Sequence, residues 1–390
     1  NLNTASNQSK TLITDILQKI SDLSKPRQNF LTHILVLMLS LPRRHNFTQM
    51  SHYGTYSEKT YRRHFEEGFD WLSFNSKLIQ SHGSGHYFVA LDPSYVRKSG
   101  KFTPHLGKYW SGCDQTAKLG LEFCGLAVLD SVWHTSFHLS AKQTVSVCKE
   151  DASTNLVVQY SNFVIESASS IKKFSPYVVA DAYFAKETFI NAVTSVDLDL
   201  ISKLRNDANL RYLYRGPKRE SGSGRQKEYD GKIYWNYLKW GYFDKIAENE
   251  EEITYSAIVN SPAFKRNIRI VVIYNKKIAA KKIVYKTKKG KVKNINPAIT
   301  LLFSTDVQQE PSQIVKAYRL RYQIEFVYRD GKQFCGWLHC QARSENKLDF
   351  HANAALTAIN IAKFAHYKQK DKNKLQKNMV YSIADIKTLY

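Results

Sequence analysis

Two short apolar runs in this chain each close on an aspartate. Tyr87-Phe88-Val89-Ala90-Leu91 leads into Asp92-Pro93, and Tyr177-Val178-Val179-Ala180 leads into Asp181. Brief apolar runs bounded by breakers read as buried strands. Proline does not continue a central strand, so the first run is expected to stop at Asp92. Carboxylates at strand ends sit on the rim of a sheet, where an active site can be built. Taken singly, each also has a plainer reading: Asp92 as a turn residue before proline, Asp181 as a helix cap.

The chain before Asp92 is helical in pattern. Leu12, Ile13, Ile16, Leu17, Ile20 and Leu23 recur at helical spacing, Ser24-Lys25-Pro26 interrupts, and a second apolar helix ends at Pro42. Residues 46–68 read as two short helices around Gly54-Thr55-Tyr56. Ser57 caps the second, which carries Lys59, Arg62, Arg63 and His64. This fits a DNA-reading helix-turn-helix and equally an ordinary helical hairpin with a basic face. Residues 121–129 and 134–142 read as antiparallel strands, 150–173 and 186–193 as helices, and 198–202 as a strand. A polar Gly/Ser-rich loop at 215–226 opens a β-patterned stretch, with strands expected at 253–259, 268–274, 282–285 and 299–304. One helix is expected from Pro311 to about residue 334 and another over about 350–369, before a Lys-rich tail.

Charge narrows the choice of partner. The chain holds 57 Lys and Arg against 34 Asp and Glu, a net charge of +23. Such an excess repels itself in a compact fold, and a polyanion offsets that cost by releasing its counterions. Between Ile253 and Thr305 there are twelve Lys or Arg and no Asp or Glu. That is more than an edge strand needs to resist aggregation, so DNA contact is favoured. The five cysteines are irregularly spaced and suggest no disulfide framework, as in a reducing compartment. Cys335, His339, Cys340 and His351 lack the paired spacing of a zinc site. The longest apolar run, residues 30–41, is too short to cross a bilayer and follows too long a polar lead for a signal peptide.

The third carboxylate comes from a helix. Tyr318, Arg321, Glu325 and Lys332 fall at offsets 0, 3, 7 and 14, within roughly a 60° sector of a regular helix. A Glu so flanked can bind metal while the cations and phenol hold phosphate oxygens. A solvated face with helix ion pairs, including Arg319, Arg329 and Asp330, is the competing reading. Asp114 and Asp130 are rivals for a carboxylate role, but neither ends so clean a run.

Residues 318–332, Tyr-Arg-Leu-Arg-Tyr-Gln-Ile-Glu-Phe-Val-Tyr-Arg-Asp-Gly-Lys, match the ungapped Tyr-x2-Arg-x3-Glu-x6-Lys signature. They resemble the DDE transposases of bacterial insertion sequences, the insertion-sequence-four-like group. Residues 178–184, Val-Val-Ala-Asp-Ala-Tyr-Phe, are similar to that family's second catalytic strand. Residues 90–98 are similar to its first, with Ser94 where several relatives have Thr. Gly-Arg-Gln-Lys-Glu-Tyr at 224–229 is similar to the basic loop opening its inserted β-domain.

The resemblance implies an α/β protein: a ribonuclease-H-like mixed sheet with a β-rich insertion and an N-terminal helical region. The parts would be 1–85 (helical, DNA-binding), 86–204 with 306–345 (catalytic), 205–305 (basic β insertion) and 346–390 (C-terminal helical). It implies Asp92, Asp181 and Glu325 as catalytic ligands of two Mg2+ or Mn2+ ions. Tyr318, Arg321 and Lys332 would contact the DNA end. It further implies a cytoplasmic, nucleoid-associated bacterial enzyme working as a homodimer on terminal inverted repeats and target double-stranded DNA. Relatives that form a DNA hairpin stack a flipped base on an aromatic of the insertion; Trp235 and Trp240 lie in that region, with core packing as their simpler role. A three-carboxylate nuclease and a non-catalytic DNA-binding descendant are the rival functions; an RNA-binding protein lacks a recognisable motif.

Overall fold

The structure, a computed structural model, describes residues 2–112, 114–148, 151, 154–218, 224–281, 294–373 and 381–390. Five helices come first: α1 (Leu2–Leu17), α2 (Lys25–Ser40), α3 (Phe47–Tyr53), α4 (Glu58–Glu66) and α5 (Trp71–His82). Strands β1 (Tyr87–Arg97), β2 (Gly107–Ser111), β3 (Thr116–Asp130) and β4 (Thr135–Gln143) follow, then α6 (Leu156–Ile171). Next come β5 (Tyr177–Val179), α7 (Glu187–Thr194), β6 (Asp199–Leu204), β7 (Arg211–Leu213), β8 (Tyr229–Lys232), β9 (Asp244–Glu248), β10 (Glu252–Ser261) and β11 (Arg266–Asn275). The chain continues with α8 (Lys276–Ala280), β12 (Ile299–Ser304), α9 (Pro311–Leu320), α10 (Gln323–Gln333), α11 (Glu345–Asn373) and α12 (Ile383–Lys387). The strand expected at 282–285 and residues 374–380 of the Lys-rich tail lie outside the described residues. By contact the chain divides into two compact units. The first is Asn1–Phe163, Ser169–Phe174 and Tyr322–Tyr390; the second is Val164–Ala168 and Ser175–Arg321.

In the first unit β3 is the central strand. β1 pairs with it antiparallel from Tyr87↔Asp130 to Arg97↔Gly120. Gly120 also faces Gly107, so β2 lies along the other edge of β3, where β4 then takes over from Phe123↔Gln143 to Asp130↔Thr135. β1 corrects the first sequence expectation: it does not stop at Asp92 but continues through Pro93↔Cys124 to Arg97. Proline is tolerated in a strand where its missing N–H is not asked to pair, so Asp92 sits within a strand rather than at its end.

Helix α11 is the core of this unit. It packs on β4 and on α1, α2, α4 and α5. Phe350, Leu356, Ile359, Ile361 and Phe364 are all buried; at about 1.5–3 kcal/mol for each large apolar side chain, such burial offsets much of the cost of ordering the helix. One row of α11 is polar yet equally buried: Asn353, Thr357, Asn360 and Lys363. Asn353 accepts from the Ala141 amide and donates to its carbonyl, both at 2.8 Å. Asn360 does the same for His138, at 2.8 and 2.7 Å. Lys363 Nζ donates to the Ser136 carbonyl at 2.7 Å. Two side-chain carboxamides thus stand in for the next strand and close the outer edge of β4.

The N-terminal helices begin as their caps dictate. Ser24, Asn46, Ser57 and Asp70 each accept an amide of the following turn. His64 departs from the basic face expected for α4. It is buried, stacks on Phe30 at 4.0 Å, and its Nδ1 lies 2.9 Å from Arg27 Nη1. The helical stripe Tyr61, His64 and Phe65 is the core side of α4, leaving Lys59, Arg62 and Arg63 exposed.

In the second unit β5 runs parallel to β6, from Tyr177↔Asp199 to Val179↔Ile201. β6 pairs antiparallel with β12, β12 with β11, and β11 with β10. The far edge of β10 carries β9 and β7, and β7 carries β8. The molecule is a mixed α/β fold with mostly antiparallel strands, compatible with a ribonuclease-H-like transposase. The single helix expected over 311–334 is two: α9 ends at Leu320 and α10 begins at Gln323. At the junction Arg321 N bonds Tyr318 O and Glu325 N bonds Tyr322 O, the tighter i→i−3 pattern.

Candidate active site

Asp92 and Glu325 both belong to the first unit. Asp92 is half-buried on β1, opposite Gly125 of β3. Cross-strand partners and every second residue share a face, so Asp92, Ser94, Gly125 and Phe123 line one side of the strands. Helix α10 covers that side. The Tyr328 hydroxyl donates to the Asp92 carbonyl at 2.6 Å. One turn on, Lys332 Nζ donates to Ser94 Oγ at 2.9 Å and to the Tyr95 carbonyl at 2.7 Å. At the other end of the helix Ser136 Oγ donates to the Gln323 carbonyl at 2.7 Å. Glu325 is exposed in the first turn of α10, three residues before Tyr328 and seven before Lys332, so the three share a helix face. Gly331 lets α10 approach α11: a Cβ there would lie 2.7 Å from the Leu356 methyl.

Asp181, Tyr318 and Arg321 belong to the second unit. Asp181 follows β5 and caps the 3-10 turn Ala182–Phe184, its Oδ1 accepting the Tyr183 amide at 2.9 Å. The cap foreseen as its plainer role is therefore real, and it engages one of the two carboxylate oxygens. Buried Ser202 of β6 fixes the Asp181 backbone by donating to its carbonyl at 2.6 Å. Lys186 lies over the Tyr183 ring at 3.5 Å. Burial pulls its ammonium below the usual range, and the Asp181 charge pulls it back up. Tyr318 is on α9, and the Arg321 guanidinium lies 5.8 Å from its ring centre.

The four signature residues therefore do not ride on one continuous helix: Tyr318 precedes the junction, Arg321 lies in it, and Glu325 and Lys332 follow it on α10. Among the described residues no three His, Cys, Asp or Glu side chains gather as a metal-binding cluster. Two of the proposed ligands sit in the first unit and one in the second. Their chemistry is uniform: carboxylate oxygens, the donors that hard divalent ions take.

The rivals have other work. Asp130 is fully buried and accepts from Ser84 N, Ser84 Oγ, Val132 N and Trp133 N, anchoring turns. Asp114 pairs with Lys118 at 2.6 Å at a hairpin tip. His351 Nε2 lies 2.8 Å from the Gly336 carbonyl, His339 Nδ1 accepts the His45 amide at 3.2 Å, and Cys335 and Cys340 are buried. Burial pushes the Cys335 thiol up to about 12 and holds His351 down at about 4. Trp235 is fully buried, its Nε1 donating to the Ala208 carbonyl at 2.8 Å, whereas Trp240 is 40% exposed. In the basic window, Lys265, Lys276 and Lys277 pair with Glu187, Glu248 and Glu251 from outside it. Part of that charge bias is thus balanced within the protein.

Sequence reading missed Tyr328, Gly125 and Ser202. Only Tyr328 had a visible signal, its place on the Glu325–Lys332 face. Residues 129–361, more than half of the 390-residue chain, match the family described as transposase DDE domain. The chain belongs to this family, and with it to the transposases, enzymes that act on DNA. The matched stretch includes Asp181, Tyr318, Arg321, Glu325 and Lys332; Asp92 precedes it. No curated protein matches the chain. Among the described residues no helix is long and apolar enough to cross a membrane.

Proposed function

We propose that this transposase belongs to the insertion-sequence-four-like group, cuts DNA at the ends of a mobile element, and joins the freed 3′-OH to target DNA. The observation that carries this reading is the seating of α10, with Glu325 in its first turn, on β1 at Asp92. Two carboxylates far apart in sequence, matching two positions of the family's triad, belong to elements packed on each other. Asp181 is the third, held by its cap and by Ser202.

The all-oxygen donor set suits Mg2+ or Mn2+, with Asp92, Asp181 and Glu325 as ligands. Two such ions supply charge neutralisation at the attacking and leaving oxygens of a phosphodiester. The protein's own part is placement. The strands and helix hold each carboxylate on backbone that is itself hydrogen-bonded. Arg321 offers a planar fork for phosphate oxygens and Tyr318 a phenol beside it. Lys332 keeps a positive charge on the Asp92 side of β1. The division into a DNA-binding region 1–85, a catalytic domain 86–204 with 306–345, a basic insertion 205–305 and a C-terminal segment 346–390 is part of the same proposal. So are action as a homodimer on inverted repeats and residence with the bacterial nucleoid.

The test uses purified protein, Mg2+ and labelled DNA bearing the element's own ends. Wild type nicks at the end, and Glu325→Gln binds but does not cut. Tight binding by wild type without cleavage in Mg2+ or Mn2+ overturns the catalytic reading in favour of a DNA-binding descendant. Cleavage without joining to a target plasmid leaves a nuclease.

A further inference from the structure

We infer that Tyr328 and Gly125 are positioning residues, a hydroxyl-and-gap lock that sets the height of Glu325 against Asp92. The inference rests on the carboxylate reading above. Three observations, all within the first unit, meet at one point. The Tyr328 hydroxyl donates to the main-chain carbonyl of Asp92 itself at 2.6 Å. Gly125, the cross-strand partner of Asp92, supplies the space: a Cβ there would lie 2.3 Å from that hydroxyl and 3.1 Å from Tyr328 Cζ. The ring is wedged from behind by Trp337, with centroids 5.4 Å apart, and Trp337 also faces Phe123 at 5.9 Å.

A helix sliding on a strand needs a stop. Apolar contacts resist separation but discriminate poorly between neighbouring registers. A phenol hydroxyl bonded to one named carbonyl, in a slot only glycine leaves open, admits one height. Glu325 lies three residues from Tyr328, about 4.5 Å along the helix axis. Fixing Tyr328 on the Asp92 backbone therefore fixes the Glu325 backbone relative to the Asp92 backbone. Lys332, bonded to Ser94 and Tyr95 one turn beyond, keeps the helix from pivoting about that point.

Tyr328→Phe removes the hydroxyl and keeps the ring. The expected result is a fall in kcat for end cleavage of about 10- to 100-fold, with KM for the DNA end unmoved and the thermal midpoint lowered by no more than the few degrees that one lost hydrogen bond costs. Gly125→Ala is expected to fall at least as far, because its methyl and the hydroxyl claim one space. Adding Tyr328→Phe to Gly125→Ala is then expected to restore activity above that of Gly125→Ala alone. A Tyr328→Phe enzyme that cuts at the wild-type rate while Glu325→Gln is dead overturns the lock and leaves the carboxylate reading standing. A parallel fall in rate and thermal midpoint, with no relief in the double variant, shows packing alone and also overturns it. If Glu325→Gln and Asp92→Asn cut as well as wild type, the carboxylate reading fails and the lock falls with it.

Discussion

Asn360 on α11 holds both the amide and the carbonyl of His138 on β4, at 2.8 and 2.7 Å. All of these groups are buried, so the carboxamide replaces water at two backbone positions that no strand among the described residues reaches. Asn360→Leu fills the volume and abandons both. Leaving two buried backbone groups unpaired is expected to cost about 2–5 kcal/mol. Urea unfolding measures it, and a loss below about 1 kcal/mol would show that the edge is satisfied some other way.

Arg321 is proposed to grip phosphate, so its removal should show in the salt dependence of DNA binding. Arg321→Ala is expected to weaken binding and to lower the slope of log K against log salt by about 1. Arg319, tied to Glu252, is the internal comparison, and its replacement should leave the slope alone. Equal slopes for wild type and Arg321→Ala would remove Arg321 from the interface.

Acid should unfold the first unit through its histidines. Burial holds His138 and His351 down at about 4, against about 6.5 in an unfolded chain. Between those values the unfolded chain binds protons that the folded one refuses. Their stabilisation is complete above pH 6.5 and is lost as pH falls toward 4, at up to about 1.4 kcal/mol per pH unit for each imidazole. Asp349 works in the opposite sense. Burial, and then Glu345, raise it to about 7 from 3.8, so its folded form keeps a proton that the unfolded chain has lost. Asp349→Asn is therefore expected to steepen the acid loss between pH 6.5 and 4. Superimposable thermal-midpoint profiles for wild type and Asp349→Asn would contradict this.

The two tryptophans of the basic segment should separate cleanly. Trp235, fully buried and bonded to Ala208, is expected to cost about 3–5 kcal/mol when cut to Ala. Trp240 lies 40% exposed against Tyr255 at 4.4 Å, and its truncation should cost less than about 1 kcal/mol. Chemical denaturation of the two variants decides the matter, and similar losses would mean that Trp240 is also core.

Local chemistry was readable wherever one residue type decides one backbone event. Ser57 capped α4 as expected, and the apolar runs before Asp92 and Asp181 became β1 and β5. The Tyr-Arg-Glu-Lys spacing was visible because it is local. What it could not reveal is the junction at Arg321 and Tyr322, since no Gly or Pro stands there to mark it. Pro93 misled because its cost depends on whether the strand asks its nitrogen to pair, which a neighbour decides. His64 looked basic but faces Phe30. Gly125 and Tyr328 are about two hundred positions apart, and nothing local in either announces the other.

The edge of β4 is finished by a helix that the chain makes late. Asp92, Asp181 and Glu325 all leave the ribosome before residue 345, where α11 begins. Until α11 arrives, β4 presents bare amides and carbonyls and the N-terminal helices lack their shared apolar partner. A nascent chain thus carries Asp92 and Glu325 before the unit that holds them both has the helix at its core.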